Sequence, residues 1–140
     1  MSELKQKILE KFKGPTLCAF ATVTEEGKPR VRYTTPTMDE NLTIWMATFA
    51  NSRKIPQIKN NPEVHITSGV GSFETAESWV QIEATAEILY DEETKNKVWD
   101  DHLKVAFSGP DDPNYCICKI TPYRIEYHKM GPNPAEVWEA

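Results

Sequence analysis

The sequence predicts a mainly β fold, a small barrel of six antiparallel strands with helices at its periphery. Three observations predict it. Apolar residues alternate with polar ones along several segments, so each segment buries one face. Short turn signals, such as Glu25-Glu26-Gly27-Lys28 and Asp39-Glu40-Asn41, join neighbouring segments as hairpins. Strands with one polar face pack best when their sheet curls around a single core, and a chain of 140 residues is sized for one such domain, spanning 1–140.

The first element is a short amphipathic helix. Leu4, Ile8 and Phe12 recur every four residues, and Gly14-Pro15 stops it. The apolar stripe is expected to pack on the barrel. Strands follow at 17–24, 29–37 and 42–48. In the second, Val31, Tyr33 and Thr35 share one face and Arg30, Arg32 and Thr34 the other; in the third, Leu42, Ile44, Met46 and Thr48 share a side. Residues 51–60 break the period of two. Ser52 can cap a helix there, Ile55 and Ile58 fit its buried face, and Pro56 makes its first turn irregular. A fourth strand covers 63–68 and a long fifth 77–90, with Val80, Ile82, Ala84, Ala86 and Ile88 inward. Asp91 caps a helix expected to reach Phe107 and to bury Trp99, Leu103 and Ala106. The loop SGPDDPNY leads to a final strand at 116–128, where Pro122 marks an edge or a bend.

Composition excludes several classes. Hydrophobic residues make up 39%, too many for a disordered chain. The net charge of −5 argues against a nucleic-acid partner, including an OB-like barrel that binds polyanions. No apolar run approaches the roughly 18 residues of a membrane span, and the charged start MSELKQKILEKF is no signal peptide. Three cysteines are a poor disulfide framework and read as buried thiols of a cytoplasmic protein. His65, His102 and His128 lack metal-ligand spacing, so no metal is expected.

The most informative stretch is ATFANSRKIPQIKNNP, Ala47 to Pro62. A strand ends and Ser52-Arg53-Lys54 opens a short helix. A hydroxyl, a planar guanidinium and an ammonium at a helix start suit a phosphate, although such a triplet also occurs as a solvated cap. Arg32 projects from a neighbouring strand with Thr34. Spacing alone leaves two readings of it open: a third cation of a phosphate site, or a surface arginine paired with a glutamate.

These residues carry a resemblance. The run PRVRYTTPTMDENLTIWMATFANSRKIPQIKNNP, Pro29 to Pro62, resembles the flavin-binding core of the pyridoxamine 5′-phosphate oxidase-like split barrels. The SGPDDPNY loop and the strand after it are similar to the general stress protein 26 branch. The resemblance covers about Leu17 to His128. It implies a six-stranded antiparallel FMN-binding split barrel that acts as a homodimer, with FMN at the subunit interface and a small-molecule redox partner. Arg32, Ser52, Arg53 and Lys54 stand at phosphate-binding positions, Tyr33, Thr34 and Thr35 run beside the flavin ring, and Thr48 stands at a flavin contact.

The departures concern the substrate. Thr37 stands where the oxidase has a lysine, Trp79 where it has a glutamine reaching the flavin from the partner subunit, and His128 where it has a flavin-contacting tryptophan. His128 is placed either near the flavin or simply at a strand end. The closing KMGPNPAEVWEA lacks the oxidase's substrate-holding segment, and its Trp138 is expected either to cross onto the partner subunit or to lie in a mobile tail. The resemblance therefore implies an FMN-dependent oxidoreductase whose substrate is not pyridoxamine phosphate and whose catalytic residues the sequence does not identify. The alternatives are a flavin carrier or redox sensor, or the same barrel holding a deazaflavin or haem.

Overall fold

The alternating segments pair as hairpins and then curl. A computed structural model describes residues 2–140. Among these, the strands are β1 (Cys18–Val23), β2 (Pro29–Thr34), β3 (Thr37–Met38), β4 (Ile44–Phe49), β5 (Glu63–Ser68), β6 (Ser78–Leu89), β7 (Tyr115–Lys129) and β8 (Glu136–Glu139). The helices are α1 (Glu3–Glu10), α2 (Lys54–Asn60) and α3 (Glu92–Val98), followed by a 3₁₀ segment, Asp101–Val105. All strands join one antiparallel sheet in the order β2-β1-β5-β6-β7-β4-β3, with β8 added on β7. The two ends of that order, β2 and β3, are adjacent in the chain and linked only by Thr35-Pro36. A two-residue link cannot cross a flat sheet, so the sheet must curl until its edges meet. This is the predicted split barrel.

The barrel interior is the predicted inner rows. Phe20, Ile44, Met46, Ile66, Val80, Ile82, Ile120 and Ile125 form its buried cluster, with Ile8 and Phe12 covering one end. A second cluster, Phe107, Tyr115 and Ile117, lies under α3 and the 3₁₀ segment. Cys18, Cys116 and Cys118 are buried free thiols. No described helix is long and apolar enough to cross a membrane.

Three expectations are corrected. Two further strands appear among the described residues, making eight. The predicted second strand divides because Pro36 has no N–H for the ladder; its buried carbonyl instead accepts from the Thr16 amide at 3.0 Å. The residues after β7 are not a loose tail: β8 pairs with β7, placing Trp138 opposite Ile125 and against the core. Pro122 marks the expected bend, and on the side away from β6 it lies between the stretch of β7 paired with β4, up to Ile120, and the stretch paired with β8, from Arg124. β7 runs on through a bulge, with Glu83 opposite Arg124 and Ala84 opposite Pro122, so Tyr123 is the extra residue. Finally, the helix capped by Asp91 stops at Val98. Trp99 turns extended (ψ 136°) and lays its ring edge-on to Tyr115 at 5.4 Å, Asp100 caps the 3₁₀ segment, and Ala106 is exposed.

Candidate functional site

Two apolar rows inside the barrel end on a hydroxyl. On β1 the row Cys18, Phe20 ends at Thr22, and on β4 the row Ile44, Met46 ends at Thr48. Both threonines are buried, 1% and 3% exposed, and both lie beside α2, which packs on β1 and β6. A buried hydroxyl needs a partner, and these find theirs in the cationic side chains that converge there.

Arg32 lies opposite Phe20, on the inner face of β2, with its guanidinium 5.7 Å from the Phe20 ring centroid. It donates to Thr22 Oγ1 at 2.8 Å, to the Phe20 carbonyl at 3.3 Å and to Gln57 Oε1 at 3.4 Å. Thr22 in turn donates to Gln57 Oε1 at 2.7 Å. On the other side, Lys54 Nζ donates to Thr48 Oγ1 at 2.6 Å and to Ser52 Oγ at 3.0 Å. Ser52 is not the helix cap. The helix begins at Lys54, with Arg53 already helical at the cap position, and the Ser52 hydroxyl accepts from the Lys54 amide at 3.3 Å. Arg53 is exposed and lines a cavity with Arg30, Gln57 and the carboxylates Glu25 and Glu26.

The innermost charges of this cluster, on Arg32 and Lys54, meet only neutral oxygens. Among the described residues, Arg30, Arg32, Arg53 and Lys54 form no ion pair with a carboxylate. Burial lowers the pKa of Arg32, and the charges of Arg30 and Arg53 lower it further. Burial likewise lowers the pKa of Lys54, with Arg32 adding to the effect. Partly desolvated cations that repel one another create a strong local demand for an anion. Of the two readings of Arg32, the glutamate-paired surface residue is the one the geometry does not match.

The other predicted residues divide into three places. Thr34 Oγ1 is buried with no hydrogen-bond partner. Thr35 lines a cavity of about 320 Å³ between β4 and the α3–3₁₀ segment. Tyr33 points the opposite way from Arg32, 78% exposed, into an apolar trough of about 380 Å³ shared with Leu17, Ala19 and Trp79. Trp79 and His128 are directly opposed on β6 and β7. Their rings stack at 5.5 Å with an interplanar angle of 2°, and the His128 Nε2 lies 2.9 Å from Glu126 Oε1. The structure therefore brings Arg32, Thr48, Ser52, Arg53 and Lys54 together, pairs Trp79 with His128, and leaves Thr35 and Tyr33 in separate cavities of one chain.

Thr22, Arg30 and Gln57 were missed by sequence reasoning. A threonine closing an apolar row was the available signal for Thr22, and its place one turn beyond Arg53 was the signal for Gln57.

Fold and site together define a class: antiparallel split barrels with an anion-seeking cation cluster at the barrel mouth. The chain belongs to the pyridoxamine 5′-phosphate oxidase family, whose model matches residues 4–129. It is 35% identical over 129 residues to General stress protein 26 of Bacillus subtilis (strain 168), spanning 92% of this chain and 91% of that protein. The crystal structure of General Stress Protein 26 from Bacillus anthracis str. Sterne matches with a TM-score of 0.83 at 32% identity, over 99% of this chain and 100% of that one. A heme binding protein from Mycobacterium smegmatis shares the fold alone, with a TM-score of 0.75 at 15% identity, over 98% of this chain and 57% of its own.

Proposed function

We propose that the chain binds FMN and works as an FMN-dependent oxidoreductase on a small molecule, as a homodimer with the cofactor at the subunit interface. The observation that carries the reading is the cluster of Arg32, Arg53 and Lys54, without an ion pair among the described residues, around the hydroxyls of Thr22, Thr48 and Ser52. Its donors suit a phosphate monoester: a planar fork, a point charge and hydroxyls within one small volume. The buried, unpartnered Thr34 hydroxyl offers a further hydrogen bond just along the strand from Arg32.

FMN supplies two-electron redox chemistry when bound. Arg32, Ser52, Arg53 and Lys54 would hold its phosphate, and Thr34, Thr35 and Thr48 would lie along it. The dimer is supported by the outer face of β2, where Val31 is 70% and Tyr33 78% exposed beside the apolar trough. A second subunit covering that face would exclude water and bring the Trp79–His128 pair within reach of a shared site. Thr37 removes the ammonium the oxidase places there, so pyridoxamine phosphate is not the expected substrate.

The visible spectrum of the purified protein tests this. A yellow protein that releases FMN on denaturation is the expected result. A colourless protein that takes up no added FMN refutes it, and a Soret band would replace FMN with haem.

A further inference from the structure

The cavity between β4 and the α3–3₁₀ segment has no role in the phosphate cluster. Thr35, Thr37, Trp45, Lys97, Trp99 and His102 line it, and its volume of about 320 Å³ falls at the small end of ligand sites. Its two indoles are held from behind. Trp45 Nε1 donates to Asp39 Oδ2 at 2.9 Å, and Trp99 stands edge-on to Tyr115. Fixed indole walls suit a flat conjugated ring. The Lys97 and Lys119 ammonium groups lie 4.5 Å and 5.6 Å from the Trp45 ring centroid, which places two cations over that ring.

The same cavity carries a histidine–carboxylate pair. Asp100 Oδ1 lies 2.7 Å from His102 Nδ1 and also accepts the His102 backbone N–H at 3.0 Å, so one carboxylate oxygen orients both backbone and ring. Among the described residues His102 Nε2 has no hydrogen-bond partner. A ring oriented through Nδ1 with Nε2 free is the arrangement of a proton donor.

The cavity also adjoins the cation cluster. Thr35 lies three residues along the chain from Arg32, about 10 Å at roughly 3.3 Å per residue, and Ala47, in the cavity wall, precedes Thr48, which holds Lys54. A cofactor anchored by its phosphate at the cluster would therefore extend toward this cavity.

We propose that the cavity binds a planar conjugated dicarbonyl acceptor of the quinone class, and that His102, oriented by Asp100, is its proton donor. This rests on the FMN reading above. An aromatic carboxylate would fit the same walls, but its charge would face Asp100 and it has no carbonyl ready to accept electrons. With FMN bound and reduced, the acceptor would take a hydride equivalent, two electrons and one proton, from the flavin and a second proton from protonated His102. Both C=O π bonds are lost, two O–H bonds form, and the ring leaves as a hydroquinone. His102 regains its proton from water, the Lys97 ammonium faces the negative charge developing on oxygen, and a reduced nicotinamide replenishes the electrons.

Duroquinone, whose ring has no free position for thiol addition, is the probe. Titrated into oxidised protein, with and without FMN, it is expected to shift the indole N–H signals of Trp45 and Trp99 saturably in ¹⁵N NMR, leaving those of Trp79 and Trp138 in place. Anaerobic photoreduction of the FMN-loaded protein, followed by mixing with duroquinone or ferricyanide, then reads the proton-coupled step. In His102→Gln the ratio of the duroquinone rate to the ferricyanide rate is expected to fall tenfold or more, with the duroquinone Kd within twofold of the wild type. Asp100→Asn, which keeps an acceptor for the His102 amide, should lower the ratio in the same direction. Shifts at Trp79 or Trp138 in place of Trp45 and Trp99 overturn the site, and an unchanged rate ratio overturns the role of His102. Failure to take up FMN sinks the functional reading separately, because the indole shifts without FMN still report on the cavity.

Discussion

Replacing Arg53 with alanine isolates the phosphate contact from the fold. Arg53 is exposed and, among the described residues, its side chain has no ion pair, so the free protein loses no partner when it is removed. Removal also lifts a charge that holds the Arg32 pKa down, so the cofactor-free protein should be no less stable. A hydrogen bond to a charged group is worth about 1.5–3 kcal/mol, and exposure places Arg53 at or below the low end. About 1.4 kcal/mol corresponds to a tenfold rise in the FMN Kd. Riboflavin, which lacks the phosphate, should bind the variant within twofold of the wild type. Flavin fluorescence titrations of cofactor-free protein would give both constants, and repeating the FMN titration at high salt should shrink the difference as screening grows. Equal losses for FMN and riboflavin would refute the placement of the phosphate. A fall of several degrees in the thermal midpoint of the free protein would show that Arg53 supports the fold.

Three other perturbations separate the remaining roles. Thr34→Val removes a buried hydroxyl that lacks a partner, so the free protein should be as stable or slightly more stable in chemical denaturation, while FMN and riboflavin both bind more weakly. Trp138→Ala should cost about 2 kcal/mol of unfolding free energy, less than a fully buried tryptophan, because the ring packs on the core from β8; no loss would mean the C-terminal strand does not hold in solution. The Lys54 ammonium is disfavoured by burial, so its folded pKa lies below its unfolded one; between the two the unfolded chain binds more protons, and stability should rise with pH. A bound anion favours the ammonium, so FMN affinity should fall as pH climbs through the folded pKa, and Lys54→Met should flatten both profiles.

How much of the molecule was legible in the sequence depended on the range of the signal. The strands were readable because each carries its own inner row, and the start of α2 because a serine, an arginine and a lysine follow one another. The break at Trp99 was not readable locally: Leu103 keeps helical spacing, and what pulls Trp99 out of the helix is Tyr115, sixteen positions later, brought in by β7. β8 was missed for a related reason. Its residues look like a polar tail until β7 presents Ile125 opposite Trp138, and Lys7 of α1 pairs with Glu136 at 3.1 Å.

The site shows the same division within one cluster. Arg32, Ser52, Arg53 and Lys54 announce themselves by residue type, whereas Thr22 and Gln57 acquire meaning only when α2 packs beside β1 and joins residues 35 positions apart by a hydrogen bond of 2.7 Å. Their contribution is electrostatic restraint. Thr22 and Gln57 supply neutral oxygens to Arg32, and Thr48 and Ser52 do the same for Lys54, so hydrogen bonding is met while the positive charge is left standing. A carboxylate in place of Gln57 would satisfy the same donors and also neutralise Arg32, stabilising the free protein at the expense of the anion. Gln57→Glu is the sharpest form of that distinction: the free protein should gain stability and lose FMN affinity, while its affinity for riboflavin stays near the wild type. The net charge of −5 hides this arrangement, because it averages over the whole chain, whereas Arg32 and Lys54 meet only neutral oxygens.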